Sequence, residues 1–200
     1  MTRSEPYFAQ PMTSILSILG DRFGAAVLDT VEFRGEQTLV VEQSKAKEII
    51  KYCRDELGFD YLIDVSSLDH LGVEPRWEMV YELYALGNGA HHHLRIKYKL
   101  SEDSKAESVS DVWPTAGWHE REIYDMMGIE FTGLADHRRI LMWEGYPYFP
   151  LRKDFPLAGR PSEMPDVAFT DRAPLEGGPF VTSPTSASTV HREPRSREMD

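Results

Sequence analysis

Apolar side chains recur at the spacing of a helical face in three parts of the chain. The first lies within 13–24 and the second within 45–57, where Ser44 is placed to cap the helix and Gly58 to end it. The third begins near residue 115 to 117 and runs to 127, followed by a glycine. In the second part the apolar face consists of Ala46, Ile49, Ile50, Cys53 and Leu57. The pattern therefore predicts three short amphipathic helices.

Five other stretches have the Val-rich, aromatic or alternating composition that is typical of strands: 25–33, 37–42, 59–68, 77–86 and 92–100. A tight connection at Arg34-Gly35-Glu36 predicts a hairpin from the first two. The turn sequence Gly87-Asn88-Gly89 predicts a hairpin from the last two. In this second hairpin glutamates alternate along one arm and basic residues along the other. We therefore expect ion pairs across the exposed face of the sheet.

The element order predicts an α+β fold, in which a mixed β-sheet with helices packed on it occupies residues 13–128. Residues 1–12 are expected to form a flexible N-terminal lead. Nine of the thirteen prolines lie after residue 145, which is incompatible with long helices or central strands. We therefore expect an extended, aromatic-rich partner-binding segment over 129–157. The tail at 158–200 is expected to be irregular, or disordered at its end.

The composition excludes several classes of function. A net charge of −11 and a pI near 5.1 argue against nucleic acid as the main partner, because phosphate binding needs a basic face. A single cysteine, Cys53, cannot supply the four ligands of an iron–sulfur cluster, and its place on a helical apolar stripe indicates packing. Neither a dinucleotide fingerprint nor a phosphate-binding loop is present. No apolar run approaches the ~20 residues that span a bilayer.

Two clusters of polar residues remain open to a chemical interpretation. His91, His92 and His93 suggest a metal site, but neighbouring side chains on a strand point to opposite faces. The second cluster, on the third helix, suggests acid–base catalysis and comprises His119, Glu120, Glu122 and Asp125. Pairing within the helix, for example between Arg121 and Asp125, is the simpler interpretation.

Three motifs in the same order and spacing carry a resemblance to a known family. The run from Glu120 to Phe131, E-R-E-I-Y-D-M-M-G-I-E-F, resembles the core of the C-subunit family of proton-pumping NADH:quinone oxidoreductase, respiratory complex I. R-R-I-L-M from Arg138 and P-L-R-K-D-F-P-L from Pro150 resemble two further motifs of that family. The resemblance covers roughly residues 13–157. The chain departs from the family pattern at 134–137, where it lacks a His-Pro pair.

The resemblance implies a subunit of the peripheral arm that carries no cofactor, metal or catalytic residue of its own. Flavin and iron–sulfur clusters are then expected in partner subunits. The implied partners are the quinone-chamber subunit of the D type and cluster-bearing subunits of the B and I types, in a hetero-oligomer. The implied location is peripheral, at the cytoplasmic face of the bacterial inner membrane, with membrane association only through the complex. Activity would be that of the whole translocase, which couples electron transfer from NADH to quinone with proton translocation.

The charged and aromatic residues of these motifs are then expected to bind partners: Glu120, Arg121, Glu122, Tyr124, Asp125, Arg138, Arg139, Arg152, Lys153 and Asp154. Arginine suits this role because its guanidinium grips a carboxylate with two hydrogen bonds. One alternative is the equivalent subunit of an energy-converting hydrogenase or a related dehydrogenase. An alternative of another class is a small stand-alone metal-dependent enzyme.

Overall fold

The fold is α+β, as predicted, with one face of a five-stranded mixed sheet covered by helices. A computed structural model describes residues 12–87, 92–143, 145–157 and 159–160 of the chain. The strand order is β1-β2-β5-β4-β3. The strands are β1 (Val27–Phe33), β2 (Glu36–Val41), β3 (Tyr61–Asp69), β4 (Trp77–Ala85) and β5 (His92–Leu100). Within this sheet only β2 and β5 are parallel, and every other neighbouring pair is antiparallel.

The first helix and the first hairpin follow the sequence pattern with one difference at their junction. Helix α1 covers Met12–Phe23, and Gly24–Ala26 forms a 3-10 turn instead of the start of a strand. The prediction of a strand from residue 25 was therefore wrong by two residues. The hairpin turn forms at Arg34 and Gly35, which both have positive φ angles, of 54° and 81°.

Helix α2 covers Gln43–Asp55, so it begins earlier than predicted. The predicted N-cap at Ser44 is wrong because Ser44 lies inside the first turn and Glu42 occupies the cap position. The helix also ends two residues earlier than predicted, with Glu56 at the C-cap, while Gly58 adopts the left-handed φ of 75° that favours glycine. The apolar stripe of α2 is buried, and Cys53 on it is fully buried, as its position on the stripe predicts.

The sheet separates apolar residues from charged ones by strand alternation. The inner face of β4 and β5 contributes fully or almost fully buried residues to the core: Trp77, Met79, Tyr81, Leu83, Leu94, Ile96, Tyr98 and Leu100. On the outer face the predicted ion pairs are present. Lys97 Nζ lies 3.1 Å and Lys99 Nζ 3.0 Å from the carboxylate of Glu78, and Arg95 pairs with Glu82. Burial by itself would raise the pKa of Glu78, but hydrogen bonds with Lys99, His70 and Lys97 outweigh it and lower the pKa to about 2.

A second, two-stranded parallel sheet ties the chain after the third helix back to the domain. Helix α3 covers Ala116–Met127, and the sheet pairs β6 (Ala106–Glu107) with β7 (Phe131–Thr132). The amide of Ala106 donates to the carbonyl oxygen of Glu130 at 2.9 Å. The pairing of these two short strands was not predicted from the sequence, because two-residue strands leave no alternation to detect.

The chain divides into two compact units, with the boundary between Gly145 and Tyr146. The first unit therefore extends past the predicted limit of residue 128 and takes in residues 129–143. The predicted lead at 1–12 and tail at 158–200 lie almost wholly outside the described residues, as does most of the Gly-Asn-Gly turn. Within the described part of the chain, no helix has both the length and the apolarity needed to cross a bilayer.

One buried ion pair fixes the connection between β3 and β4. Arg76 donates from Nε and Nη2 to both carboxylate oxygens of Asp69 at 2.9 Å, and the two side chains are 5% and 2% exposed. The same guanidinium binds Glu102 at 2.7 Å and lies over the ring of Trp77 at 4.4 Å. A bidentate pair at the base of a connection holds the connection in one conformation.

We expect Arg76→Met to lower the free energy of unfolding by about 3–5 kcal/mol, because it leaves the buried carboxylate of Asp69 without its cation. Urea denaturation of the purified chain measures this loss. Lys51→Met is the matched control, since it removes a cation from the exposed pair with Asp55. A control that shifts the midpoint as much as the Arg76 variant would contradict the assignment.

Candidate functional site

Helix α3 carries the first charged motif and packs against the sheet through an apolar stripe. Ile123, Met126 and Met127 on this stripe are buried, as the helical period predicts. The helix ends at Gly128, whose φ of 76° is left-handed and whose amide donates to the carbonyl oxygen of Tyr124 at 2.9 Å. We call α3 the signature helix.

Glu120 points from the signature helix into the core and is 0% exposed. Its carboxylate accepts hydrogen bonds from the Ser108 hydroxyl at 2.6 Å and from the amide of Val109 at 2.7 Å. Burial raises the pKa of Glu120, and these two donors only partly oppose the effect. Glu120 therefore anchors the segment before the helix. It is not exposed for direct contact with a partner, and this revises the expectation from sequence.

Asp125 is also 0% exposed, but it binds the segment after the helix. One carboxylate oxygen accepts the amides of Ile140, Leu141 and Met142 at 3.0, 2.7 and 2.8 Å. The other accepts Arg139 Nη1 at 2.6 Å. We call residues 136–142 the arginine loop. Asp125 thus organises this loop from within, and its side chain too is not exposed for direct partner contact.

The two buried carboxylates have pKa shifts of opposite direction. Burial by itself would raise the pKa of Asp125, but the amides of Met142 and Leu141, together with Arg139 and Ile140, favour the ionised form. The net pKa of Asp125 is lowered. Glu120 has a single amide and a hydroxyl as its donors, so burial prevails there. At neutral pH Asp125 is therefore a stable anion.

The arginines attach the loop to the helix from the outside. Arg121 donates from Nε to the carbonyl oxygen of Arg138 at 2.9 Å and from Nη2 to that of Arg139 at 3.1 Å. The guanidinium of Arg138 makes hydrogen bonds of 2.8 and 3.0 Å to Asp136 and, together with the Arg138 amide, lowers the pKa of Asp136. Arg121 Nη1 lies 3.7 Å from the same carboxylate. The loop is thus held to the helix by charged groups on its outer side as well as by Asp125.

The remaining charged and aromatic residues of the first motif lie nearer the surface. Glu122 is exposed. Tyr124 is half-buried and packs edge-to-face on His137, with ring centroids 5.7 Å apart. His119 Nδ1 lies 3.0 Å from the carboxylate of Asp64 on β3.

These contacts decide between the interpretations that sequence left open for the helix. The expected pairing of Arg121 with Asp125 is wrong, because both side chains bind the arginine loop instead. Glu120, Asp125 and His119 contact three different parts of the fold, so an acid–base cluster does not assemble. Sequence reasoning missed the loop amides and Ser108, since no periodic spacing links residues 12 to 17 positions apart.

The third motif lies in the second unit, where aromatic rings and arginines alternate. Arg152 lies over the ring of Phe149 at 4.7 Å, and Arg160 lies over Tyr148 at 5.1 Å. They line a shallow cleft of about 320 Å³ together with Pro147, Asp154 and Phe155. Lys153 and Asp154 are exposed and Arg152 is half-buried. The motif therefore combines charged and aromatic groups on one small surface.

The histidine cluster does not form a metal site within the described residues. His93 Nε2 lies 2.6 Å from Glu82, in the row of ion pairs on the outer face, while His91 is outside the described residues. Across the described ranges, no group of three or more His, Cys, Asp or Glu side chains is placed to hold a metal ion.

Comparison with known proteins identifies the family. The sequence model described as "Respiratory-chain NADH dehydrogenase, 30 Kd subunit" matches residues 39–161. The C subunit of NADH-quinone oxidoreductase from Geobacter sulfurreducens is 42% identical over 161 residues, which cover 80% of this chain and 92% of that protein. The chain belongs to the C-subunit family of NADH-quinone oxidoreductases. The resemblance found in the three motifs is thereby confirmed.

A C subunit of the same enzyme from Rhizobium etli is a further relative, 39% identical over 165 residues, covering 76% of this chain and 87% of that protein. Among solved structures, a chain of the membrane-bound sulfane sulfur reductase, described as an archaeal respiratory membrane complex, has the same fold. The TM-score is 0.62 with 20% identity, over 72% of this chain and 85% of that one. The fold of this family thus extends to a chain of low sequence identity.

We expect Glu120→Gln to remove the contribution of Glu120 to the pH dependence of stability. The pKa of Glu120 is raised above 4.5 in the folded state, so the folded chain binds the carboxyl proton more tightly than the unfolded chain does. Wild-type stability therefore declines as pH rises through the folded-state pKa. The glutamine keeps an acceptor for Val109 and does not ionise. Urea denaturation between pH 4 and 8 should therefore show the variant gaining stability relative to wild type as pH rises. A constant difference would contradict the assignment.

Asp125→Asn should lower the free energy of unfolding by about 3 kcal/mol, because it removes the negative charge that binds Arg139 and replaces one of the two accepting oxygens with an NH2 group. Glu122→Gln is the matched control: it makes the same chemical change on the same helix at an exposed position. Urea denaturation at pH 7 compares the two. Equal effects would mean that the arginine loop does not depend on Asp125.

Proposed function

We propose that this chain is a structural subunit of the peripheral arm of NADH:quinone oxidoreductase, and that it carries no flavin, iron–sulfur cluster or quinone of its own. One observation carries the proposal: two of the four carboxylates of the first motif, those of Glu120 and Asp125, are fully buried and occupied by donors from this chain. Charged residues used in this way shape a surface. They leave neither carboxylate exposed to react with a substrate.

Cysteine chemistry supports the cofactor-free assignment. Iron–sulfur clusters are held by several thiolates, and this chain has one cysteine. Cys53 is fully buried on the apolar face of α2, and burial raises the pKa of its thiol well above the usual range. A thiol in that environment is a poor ligand and nucleophile. Flavin and clusters are therefore assigned to partner subunits.

The partners are, in this proposal, the quinone-chamber subunit of the D type and the cluster-bearing subunits of the B and I types. The chain braces them in a hetero-oligomer so that electrons pass from NADH to quinone with coupled proton translocation. It would lie at the cytoplasmic face of the bacterial inner membrane and reach the membrane only through the complex. The names of relatives at about 40% identity favour this complex, whereas the sulfane sulfur reductase offers a likeness of fold alone.

The contacts with partners are assigned to the exposed charges and aromatics of the motifs. In the second unit these are Lys153, Asp154 and the Arg152 guanidinium stacked on Phe149. In the first unit they are Glu122, Tyr124 and the arginine loop. Arginine and aromatic residues are enriched among those that dominate interface energies. The buried Glu120 and Asp125 contribute indirectly, by holding the backbone that displays them.

Replacing both Arg152 and Lys153 with Glu should reduce the amount of assembled complex in membranes several-fold, because reversing charges at an interface weakens association with the partner. NADH:quinone activity should fall in the same proportion, and the purified variant chain should keep its urea midpoint. Native gels, quinone reductase assays and denaturation measure the three quantities.

Lys45→Glu, Lys51→Glu is the control, since it reverses two exposed lysines on α2, outside the three motifs. The proposal requires the control to assemble normally. If activity is lost while assembly of the motif variant stays complete, a direct catalytic role replaces the structural one. A visible flavin or cluster spectrum from the purified wild-type chain would contradict the cofactor-free assignment.

A further inference from the structure

A cleft in the first unit combines an exposed tryptophan with three arginines. It has a volume of about 460 Å³ and is lined by Trp118, Arg121, Arg138, Arg139 and Ile140. Its walls are the outer side of the signature helix and the backbone of the arginine loop. We propose that this cleft binds an acidic segment of a neighbouring chain, with Trp118 as its apolar anchor. This inference rests on the proposed function and adds the chemistry of the partner.

Trp118 is the first reason. The chain has four tryptophans, of which Trp77 and Trp113 are 1% and 6% exposed and Trp143 is half-buried. Trp118 is 62% exposed on the surface of a helix whose apolar stripe faces the core. Leu141, near the end of the arginine loop, is also 62% exposed. Large apolar side chains exposed beside arginines have the composition of an interface centre.

The charge of the cleft is the second reason. Three guanidinium groups line it, and no carboxylate is among its lining residues; Asp125, which pairs with Arg139, is fully buried behind the loop. The lining is thus basic, although the chain as a whole has a net charge of −11. The guanidinium of Arg138 remains accessible, since its side chain is 74% exposed even while it binds Asp136. Charge complementarity therefore selects an acidic occupant over a basic one.

Rigidity is the third reason. Arg121 lies over the Trp118 ring at 5.2 Å while its N–H groups bind the loop carbonyls, so the indole, the guanidinium and the loop are linked. Asp125 fixes the other side of the loop through three amides. A surface whose side chains are already ordered loses little conformational entropy when it binds. The cleft is thus preorganised for binding in the unbound chain.

The test replaces Trp118 with the photo-crosslinking residue p-benzoyl-phenylalanine in the full chain, assembled in the native complex. After irradiation, mass spectrometry of the purified complex identifies the crosslinked peptide. We expect one segment of a neighbouring chain in which Asp and Glu outnumber Lys and Arg near the crosslink. The same probe at Tyr61, which is 51% exposed on β3, is the positional control and should not reach that segment.

Arg138 provides the charge test in the same experiment. Arg138→Glu should lower the crosslink yield at position 118 by about fivefold or more, whereas Arg138→Lys should keep most of it, because attraction to the acidic segment depends on the sign of the charge. A crosslink to a basic segment, to a second copy of this chain, or to nothing would overturn the inference while the chain remains in the complex. Absence of the chain from the complex would instead overturn the proposed function, and the inference with it.

Discussion

The arrangement of the site depends on one buried carboxylate. The arginine loop has no helix or sheet in which its backbone amides can pair, and unpaired buried amides are costly. Asp125 accepts three successive amides and the Arg139 guanidinium, and so replaces the missing secondary structure. The positions of Arg138, Ile140 and Leu141, and hence the shape of the cleft beside Trp118, follow from that single acceptor.

The charges of the signature motif therefore act mainly inward, on either side of the helix. Glu120 fixes the segment before it through Ser108 and Val109, and Asp125 fixes the segment after it. Arg121 closes the structure from outside by binding the loop carbonyls. A family signature rich in charged residues can thus describe a rigid display surface instead of a reaction centre, which fits a protein proposed to brace its neighbours.

The elements of the domain were predictable, while the contacts of the site were not. Helix and strand periods repeat over several turns, so α3 and β5 were located to within a residue, and the end at Gly128 followed from its conformational freedom. The link between Asp125 and the loop joins residues 14 to 17 apart across an irregular segment, where no period exists. Ser44 is not the N-cap because the helix begins at Gln43, shortly after the end of β2, and Glu42 therefore occupies the cap position. Burial of Glu120 was hidden because it stands in a run of polar and charged residues from His119 to Glu122, which is typical of an exposed helix edge.

Amide hydrogen exchange of the isolated wild-type chain measures how firmly Asp125 holds the arginine loop. The amides of Ile140, Leu141 and Met142 lie outside any helix or strand, yet all three donate to the buried carboxylate of Asp125. We predict that they exchange as slowly as the amides in the middle of the signature helix, even though the Leu141 side chain is 62% exposed. Exchange of these three amides at the rate of an unstructured loop would show that Asp125 does not hold the segment, and would contradict the account.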